Sequence, residues 1–141
     1  MPGLAAFSTP VPASAAGLAA VSARLHAWLL AAGAAAAAIQ RVELVLEEVV
    51  MNVIMHGTRA DGRPAEISLA ADLSDDACRL ALTDNAAPFD PVSAPVRGKA
   101  TSVEDSPGGL GLLLLRRYGR DLHYERQGGC NRLTVSVALG G

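Results

Sequence analysis

The chain has 141 residues, of which 50% are hydrophobic and 18% are charged. This apolar content excludes a disordered tail protein, and the length is sufficient for one domain with its own core. The formal net charge is −2, which argues against binding to nucleic-acid backbones because such binding needs clustered Lys and Arg. We therefore predict one globular domain over residues 1–141 that binds no nucleic acid.

The cysteines and the apolar runs predict a cytoplasmic protein without a membrane segment. Cys78 and Cys130 are far apart, whereas a zinc site needs close pairs and a secreted scaffold needs more cysteines. The longest apolar run, residues 27–39, is shorter than the ~20 residues that span a bilayer. The first residues also lack a basic start ahead of an apolar stretch, so we expect no signal peptide.

The first part of the chain is predicted to hold a short strand and two helices. Residues 4–7 form an apolar patch that is typical of an edge strand. Residues 14–32 carry apolar side chains at helical spacing, and Gly33 can end that helix. The alanine-rich segment that follows favours a second helix over residues 34–56, closed by Gly57.

The remaining chain is predicted to form two hairpins, with a loop and a helix between them. Apolar and polar residues alternate in four predicted strands, at residues 66–72, 78–83, 121–126 and 132–139. Residues 88–106 are rich in Pro and small polar residues, and we expect a functional lid at about residues 94–106. A helix is expected at residues 110–118. This order predicts an α+β fold, a two-layer sandwich of helices on an antiparallel or mixed sheet.

The predicted second helix places two polar residues between apolar stripes. One stripe contains Val42, Leu46, Val49 and Val53, and a roughly opposite one contains Leu44, Met51 and Met55. Glu48 and Asn52 lie between them, four residues apart on one face, so we expect both to be mostly buried. Burial costs free energy unless these groups are paired. A nucleotide-borne Mg²⁺ together with a reacting hydroxyl would account for the two residues, and a hydrogen-bonded polar pair within the core is the alternative.

A second pattern stands where the strand at residues 78–83 ends. Asp84 follows the alternating residues directly, and the turn-forming Asn85 comes next. A carboxylate at this place can accept a hydrogen bond from the exocyclic amine of adenine. An aspartate that only caps the following turn is the alternative, and both interpretations remain open from the sequence.

The third pattern is a glycine run, Pro107-Gly108-Gly109-Leu110-Gly111-Leu112, at the start of an apolar helix. Glycines at a helix start let backbone N–H groups approach phosphate oxygens, and the helix dipole favours negative charge there. A tight turn explains the run equally well. The run is not a P-loop, because no Gly-Lys-Ser/Thr follows, and no parallel βαβ unit precedes it as in a Rossmann fold.

The three patterns in this order resemble the GHKL-type ATPase domain of gyrase B and sensor histidine kinases. The small isolated form is most similar to the bacterial anti-sigma-factor serine kinases. The resemblance implies Glu48 as general base, Asn52 as Mg²⁺ ligand and Asp84 as the residue that reads adenine. It implies ATP and Mg²⁺ as cofactors, in a site that contains Asn52, His56, Asp84, Ala86, Phe89, Gly108, Gly109, Leu110, Gly111 and Leu112.

The resemblance also implies an activity and partners. Such a kinase transfers the γ-phosphate of ATP to a serine of an anti-sigma-factor antagonist and sequesters a sigma factor, and relatives form homodimers. A sensor histidine kinase needs an upstream helix pair, for which the sequence leaves no room, so a standalone kinase is expected. The alternative is a nucleotide-binding module that sequesters a partner with little or no kinase activity. Glu48 favours the kinase, because a pure binder needs no carboxylate beside Asn52.

Three positions depart from the family pattern. Ala86 stands where relatives usually have glycine two residues after the aspartate, and its methyl group could crowd adenine. Ser106-Pro107 replaces a basic residue that often precedes the glycine run. Gly129-Cys130-Asn131 replaces the usual glycine-threonine of the last hairpin, which removes a hydroxyl that would bridge a water. The fold and nucleotide binding are therefore more strongly implied than the catalytic rate.

Overall fold

The protein is described by a computed structural model that covers residues 6–56, 61–88 and 117–140. It contains two helices and five strands: β1 (Phe7–Val11), α1 (Ala15–Ala31), α2 (Ala36–His56), β2 (Ile67–Leu73), β3 (Ala77–Asp84), β4 (Gly119–Gln127) and β5 (Cys130–Ala138). The strands form one sheet in the order β1-β2-β3-β5-β4, and every neighbouring pair is antiparallel. Both helices pack on one face of the sheet, which confirms the predicted two-layer α+β sandwich.

The helix α1 begins at a side-chain cap and buries one apolar stripe. Ser14 Oγ accepts a hydrogen bond from the Gly17 backbone N–H at 2.9 Å, which satisfies one of the free donors of the first turn. A Cβ at Gly17 would lie 2.5 Å from Pro12, so only glycine fits this close approach of the preceding segment. The helix ends before Gly33, whose φ of 88° suits glycine. The buried stripe consists of Leu18, Val21, Leu25 and Leu29.

The helix α2 has a single broad buried face, so the predicted second apolar stripe is wrong. The fully buried apolar residues of this helix are Ala38, Ile39, Val42, Val45, Leu46 and Val50, with Val49 4% exposed. Met55 is 47% exposed, and Leu44 and Met51 are half-buried. The sheet covers only one side of the helix, and the side chains that contact it lie next to one another around the helix axis. Val45 and Val50 extend that face, whereas Met55 lies beyond its edge.

The first strand lies further along the chain than predicted. β1 spans Phe7–Val11 and forms an edge of the sheet as expected. Of the predicted residues 4–7, the first two lie outside the described residues. Its inward side chains alternate: Phe7 packs on Trp28 with ring centroids 5.6 Å apart, and Thr9 Oγ1 accepts a hydrogen bond from Arg24 Nη1 at 2.9 Å. The bounds were misplaced because a polar residue, Thr9, occupies an inward position of the strand, where its hydroxyl group pairs with Arg24 and with the Pro10 carbonyl oxygen.

The two hairpins are confirmed, and their bounds differ from the prediction by one or two residues. In the β4–β5 turn, Gly128 and Gly129 have φ of 62° and 79°, and these positive values favour glycine. The register is interrupted between Arg120 and His123. The lid predicted at residues 94–106 and most of the helix predicted at residues 110–118 lie outside the described residues. Among the described residues, we find no helix with the length and hydrophobicity that a bilayer crossing requires.

Candidate functional site

A pocket lies between the C-terminal half of α2 and the end of the central strands. Its empty space, with the open mouth included, is about 460 Å³. Its apolar lining consists of Val49, Val53, Leu82, Ala86, Ala87 and Leu133, and its polar lining consists of Asn52, Asp84, Tyr124 and Asn131. An apolar slot with a few convergent polar groups is the arrangement that binds a flat heterocycle.

Asn52 is the polar residue of α2 on the pocket wall. Its side chain is 5% exposed, and its Nδ2 has no hydrogen-bond partner in the described part of the chain. An unsatisfied buried amide costs about 1–3 kcal/mol, and a polar pair within the core would have satisfied it. This amide atom is therefore an observation against the core-pair alternative.

Glu48 lies one helical turn before Asn52, further from the sheet. It is half-buried, not mostly buried as predicted, because it lies beyond the edge of the face that the sheet covers. Burial, and to a smaller extent the neighbouring charge of Glu47, raises the pKa of Glu48 above its ordinary value of 4.5. A carboxylate whose pKa is shifted toward neutral pH is a better general base than an ordinary glutamate.

Asp84 ends β3 inside the pocket and is 7% exposed. Its Oδ1 accepts hydrogen bonds from the Ala86 backbone N–H and from Asn131 Nδ2, both at 2.9 Å. The turn-capping alternative is therefore correct for one carboxylate oxygen. The second oxygen, Oδ2, accepts no hydrogen bond from a described residue, and it is available to a ligand in the pocket.

The turn after Asp84 is anchored by two hydrogen bonds, from Arg126 and from the Glu66 backbone. Ala86 is 2% exposed and lines the pocket, and its carbonyl oxygen accepts a hydrogen bond from Arg126 Nη1 at 2.6 Å. Asn85 Oδ1 accepts a hydrogen bond from the Glu66 backbone N–H at 2.7 Å. Ala86 is thus part of the wall of the pocket.

Two further polar residues of the pocket were not predicted. Asn131 is paired with Asp84 across β3 and β5, and its Oδ1 accepts a hydrogen bond from the Tyr124 hydroxyl. Asn131 was noticed only as a departure from the family pattern. Tyr124 carried no signal except its place in the alternating strand, and only the pairing of β4 with β5 brings it to the pocket.

The remaining predicted site residues are not covered by the described side chains. The backbone of α2 ends at His56, but its side chain lies outside the described part. Phe89 and the glycine run at Gly108, Gly109, Leu110, Gly111 and Leu112 also lie outside the described residues. The described pocket therefore contains Asn52, Asp84 and Ala86 from the predicted nucleotide site, with Glu48 one turn away on α2.

The fit of a magnesium ion depends on Asn52. Among the described residues, no cluster of three or more His, Cys, Asp or Glu side chains could hold a metal by itself. Mg²⁺ is usually held by one or two protein oxygens together with substrate phosphates. Asn52, whose Nδ2 has no hydrogen-bond partner among the described residues, would supply its Oδ1 as one such oxygen.

Comparison with known proteins places the chain in a family. The family described as histidine kinase-like ATPase domain matches residues 11–137. The serine/threonine-protein kinase BtrW of Bordetella bronchiseptica is 35% identical over 94 residues, which are 66% of this chain and 66% of the relative. The chain thus spans slightly less than two thirds of that relative's length.

Solved structures share the fold at low sequence identity. The crystal structure of the RsbU and RsbW domains of a Mycobacterium tuberculosis protein matches with a TM-score of 0.68 at 20% identity, over 96% of this chain and 32% of that one. The SiaB-SiaC complex from Pseudomonas aeruginosa matches with a TM-score of 0.59 at 17% identity, over 96% of this chain and 89% of that one. The family match extends from the end of β1 to β5 and includes both helices and the pocket. This chain belongs to the histidine kinase-like ATPase domain family.

Proposed function

We propose that this chain is an ATP-dependent serine protein kinase of the partner-switching type. The observation that carries the proposal is Asn52 Nδ2, which is buried without a hydrogen-bond partner among the described residues, on a side chain that lines the same pocket as Asp84. A core without a ligand gains nothing from such a group. Together with the raised pKa of Glu48, it supports a nucleotide site with a general base beside it.

In the proposed complex, the pocket binds the adenine ring. The apolar side chains of Val49, Leu82 and Leu133 contact the faces of the ring, and Asp84 Oδ2 accepts a hydrogen bond from its exocyclic amine. Guanine would place a carbonyl oxygen against this carboxylate, and two acceptors cannot share a hydrogen bond. The site should therefore prefer ATP to GTP.

The proposed reaction transfers the γ-phosphoryl group to a serine hydroxyl of a partner protein. Glu48 accepts the hydroxyl proton as the serine oxygen forms its bond to phosphorus and the bond from phosphorus to the ADP oxygen breaks. Asn52 would hold Mg²⁺ together with the nucleotide phosphates, and this ion offsets phosphate charge. The C-terminal half of α2 thus positions both groups four residues apart on a rigid element.

The proposed partners follow from the relatives. BtrW is named a serine/threonine-protein kinase, and the structural neighbours include an RsbW domain and a SiaB-SiaC complex. We infer an anti-sigma-factor antagonist as the phosphorylated protein and a sigma factor as the sequestered protein. A homodimer in the cytoplasm is part of the same proposal.

A nucleotide-binding module that sequesters its partner with little kinase activity is the second candidate. The observation that favours it is Ala86, whose side chain stands on the pocket wall where relatives usually have glycine. A methyl group there narrows the space for the base. This candidate predicts nucleotide binding without turnover.

Nucleotide binding is tested first by thermal unfolding. A ligand that binds only the folded state stabilises it by mass action, so ATP or ADP with Mg²⁺ should raise the melting temperature, and GTP should do so only slightly. Asp84→Asn should remove most of the ATP shift. An equal shift with GTP would show that Asp84 does not read adenine.

Kinase activity is tested with the protein that co-purifies with this chain, identified by mass spectrometry. Labelled ATP should transfer its phosphate to a serine of that partner. Binding of ATP without transfer to any co-purified protein would favour the sequestering module.

A further inference from the structure

Three neighbouring strands contribute to one chain of hydrogen bonds at the back of the pocket. Tyr124 on β4 donates its hydroxyl proton to Asn131 Oδ1 on β5. Asn131 Nδ2 donates to Asp84 Oδ1 on β3 at 2.9 Å and to the Ala87 carbonyl oxygen at 3.0 Å. All of these side chains line the pocket, so this chain of hydrogen bonds belongs to the binding surface.

The orientation of the Asn131 carboxamide follows from its neighbours. The atom that faces Asp84 and Ala87 lies between a carboxylate oxygen and a carbonyl oxygen, which are both acceptors. An oxygen at that place would leave three acceptors together without a proton, so it must be Nδ2. The other end is then Oδ1, and the Tyr124 hydroxyl must donate to it.

This orientation determines which way Asp84 can point. Its Oδ1 already accepts two hydrogen bonds, from the Ala86 backbone N–H and from Asn131 Nδ2. Rotation of the carboxylate would break both. The Ala86 carbonyl is held in turn by Arg126 Nη1 at 2.6 Å, so the turn that supplies one of these donors is itself anchored.

We infer that Asn131 and Tyr124 are positioning residues that make the pocket selective for purines with a 6-amino group. This inference rests on the proposed ATP site and goes beyond it, because it assigns the selectivity to two residues that do not have to touch the base. By holding Oδ1, they leave Oδ2 as the fixed acceptor for the exocyclic amine.

The decisive variant is Tyr124→Phe, which removes one hydroxyl and keeps the ring. The probes are Mg²⁺ complexes of ATP and of purine riboside triphosphate, whose base lacks only the 6-amino group. A hydrogen bond to a charged acceptor is worth about tenfold or more in affinity, so wild type should bind ATP at least about tenfold more tightly. In Tyr124→Phe we expect this ratio to fall by roughly threefold to tenfold, through weaker ATP binding alone.

Two further variants make the test specific. Asn131→Leu removes every hydrogen bond of the carboxamide and should reduce the ratio further; if it fails to fold, Tyr124→Phe still decides. Glu125→Gln is the matched control, because Glu125 is the next residue on β4, faces the opposite side of the sheet and lies 3.9 Å from Arg132. It should keep the wild-type ratio.

Each outcome bears on the inference in a different way. An unchanged ratio in Tyr124→Phe overturns it, and so does an equal loss of affinity for both nucleotides, which would indicate a structural role only. If wild type binds both nucleotides equally well, the assignment of Asp84 is wrong although phosphotransfer can still be measured. If wild type binds neither nucleotide, the proposed function itself is wrong.

Discussion

The two halves of α2 carry similar polar residues, but these residues differ in whether they have hydrogen-bond partners. In the N-terminal half, the side chains of Arg41 and Glu43 have hydrogen-bond partners. Arg41 Nη2 donates to the Ala138 carbonyl oxygen at 3.2 Å, and Glu43 accepts a hydrogen bond from Ser22 Oγ at 3.2 Å and lies 3.3 Å from His26 Nδ1. These contacts join the helix to β5 and to α1.

In the C-terminal half, Asn52 and Glu48 have no such partners among the described residues. Asn52 Nδ2 is buried and unsatisfied, and Glu48 accepts no hydrogen bond from a described residue while its pKa is raised by burial. Because unpaired buried polar groups rarely stabilise a protein, we propose that the C-terminal half of α2 serves the function and that the N-terminal half is structural. The following variants test that separation.

The largest effect is expected for Glu48→Gln. Glutamine keeps the size of the side chain but cannot accept the serine proton, and general-base catalysis contributes roughly 10²–10⁴-fold. Phosphotransfer to the partner serine should fall by about that factor, with ATP affinity near that of wild type. Single-turnover assays with labelled ATP and equilibrium binding measure the two quantities separately.

Glu43→Gln is the matched control for this variant, because it makes the same substitution in the N-terminal half. It weakens the contacts to Ser22 and His26, which are partly exposed and worth at most about 1 kcal/mol. Turnover should remain near wild type. A comparable loss of turnover in both variants would contradict the division of the helix.

For Asn52→Leu we expect two smaller effects of opposite sign, one on the stability of the ligand-free protein and one on its stabilisation by nucleotide. Leucine removes an unsatisfied buried amide, so the free energy of unfolding of the ligand-free protein should stay unchanged or rise by about 1 kcal/mol. The same substitution removes the proposed metal ligand and should abolish the stabilisation by ATP with Mg²⁺. Urea unfolding with and without nucleotide measures both effects. A marked loss of stability without nucleotide would indicate that Asn52 has a structural role.

The smallest effect that we expect is a pH dependence of stability and of phosphotransfer, caused by the titration of Glu48. Because its pKa is raised above 4.5 in the folded protein, folding is favoured by proton binding at this group below pH 4.5. That contribution is lost as the pH rises through the raised pKa. Phosphotransfer should rise over the same range as the base loses its proton. Glu48→Gln should remove both dependences, whereas Glu43→Gln should keep the rise in phosphotransfer.

The helices and the hairpins were predictable because their sequence patterns lie within short segments of the chain. The apolar spacing of α1 and the cap at Ser14 determine that helix whatever it packs on, and the alternation in β2 and β3 identifies the hairpin. The errors occurred where burial depends on a neighbour. Met55 was assigned to a buried apolar stripe, but its side chain is 47% exposed. Thr9 is polar and therefore did not indicate an inward strand position, where its hydroxyl group accepts a hydrogen bond from Arg24.

The same distinction holds for the site. The spacing of Glu48 and Asn52 on one helix and the position of Asp84 at a strand end indicated candidate groups for nucleotide chemistry, and the order of the three patterns identified the family. The structure places Asn52 and Asp84 on one pocket. The burial of Glu48 was overestimated, because the sequence shows the side of a helix but not how far the sheet extends around it.

The sequence by itself thus determined the fold class and the family, and it indicated candidate residues for the chemistry, because periodicity, capping and motif order are properties of short segments. Only the tertiary structure decided how those residues are held. Asp84, Asn131 and Tyr124 come from three strands, and they meet because the sheet order is β3-β5-β4 in one specific register. Register and strand order are set by packing across the whole sheet, so no local pattern could have shown that a tyrosine orients an asparagine that orients the aspartate.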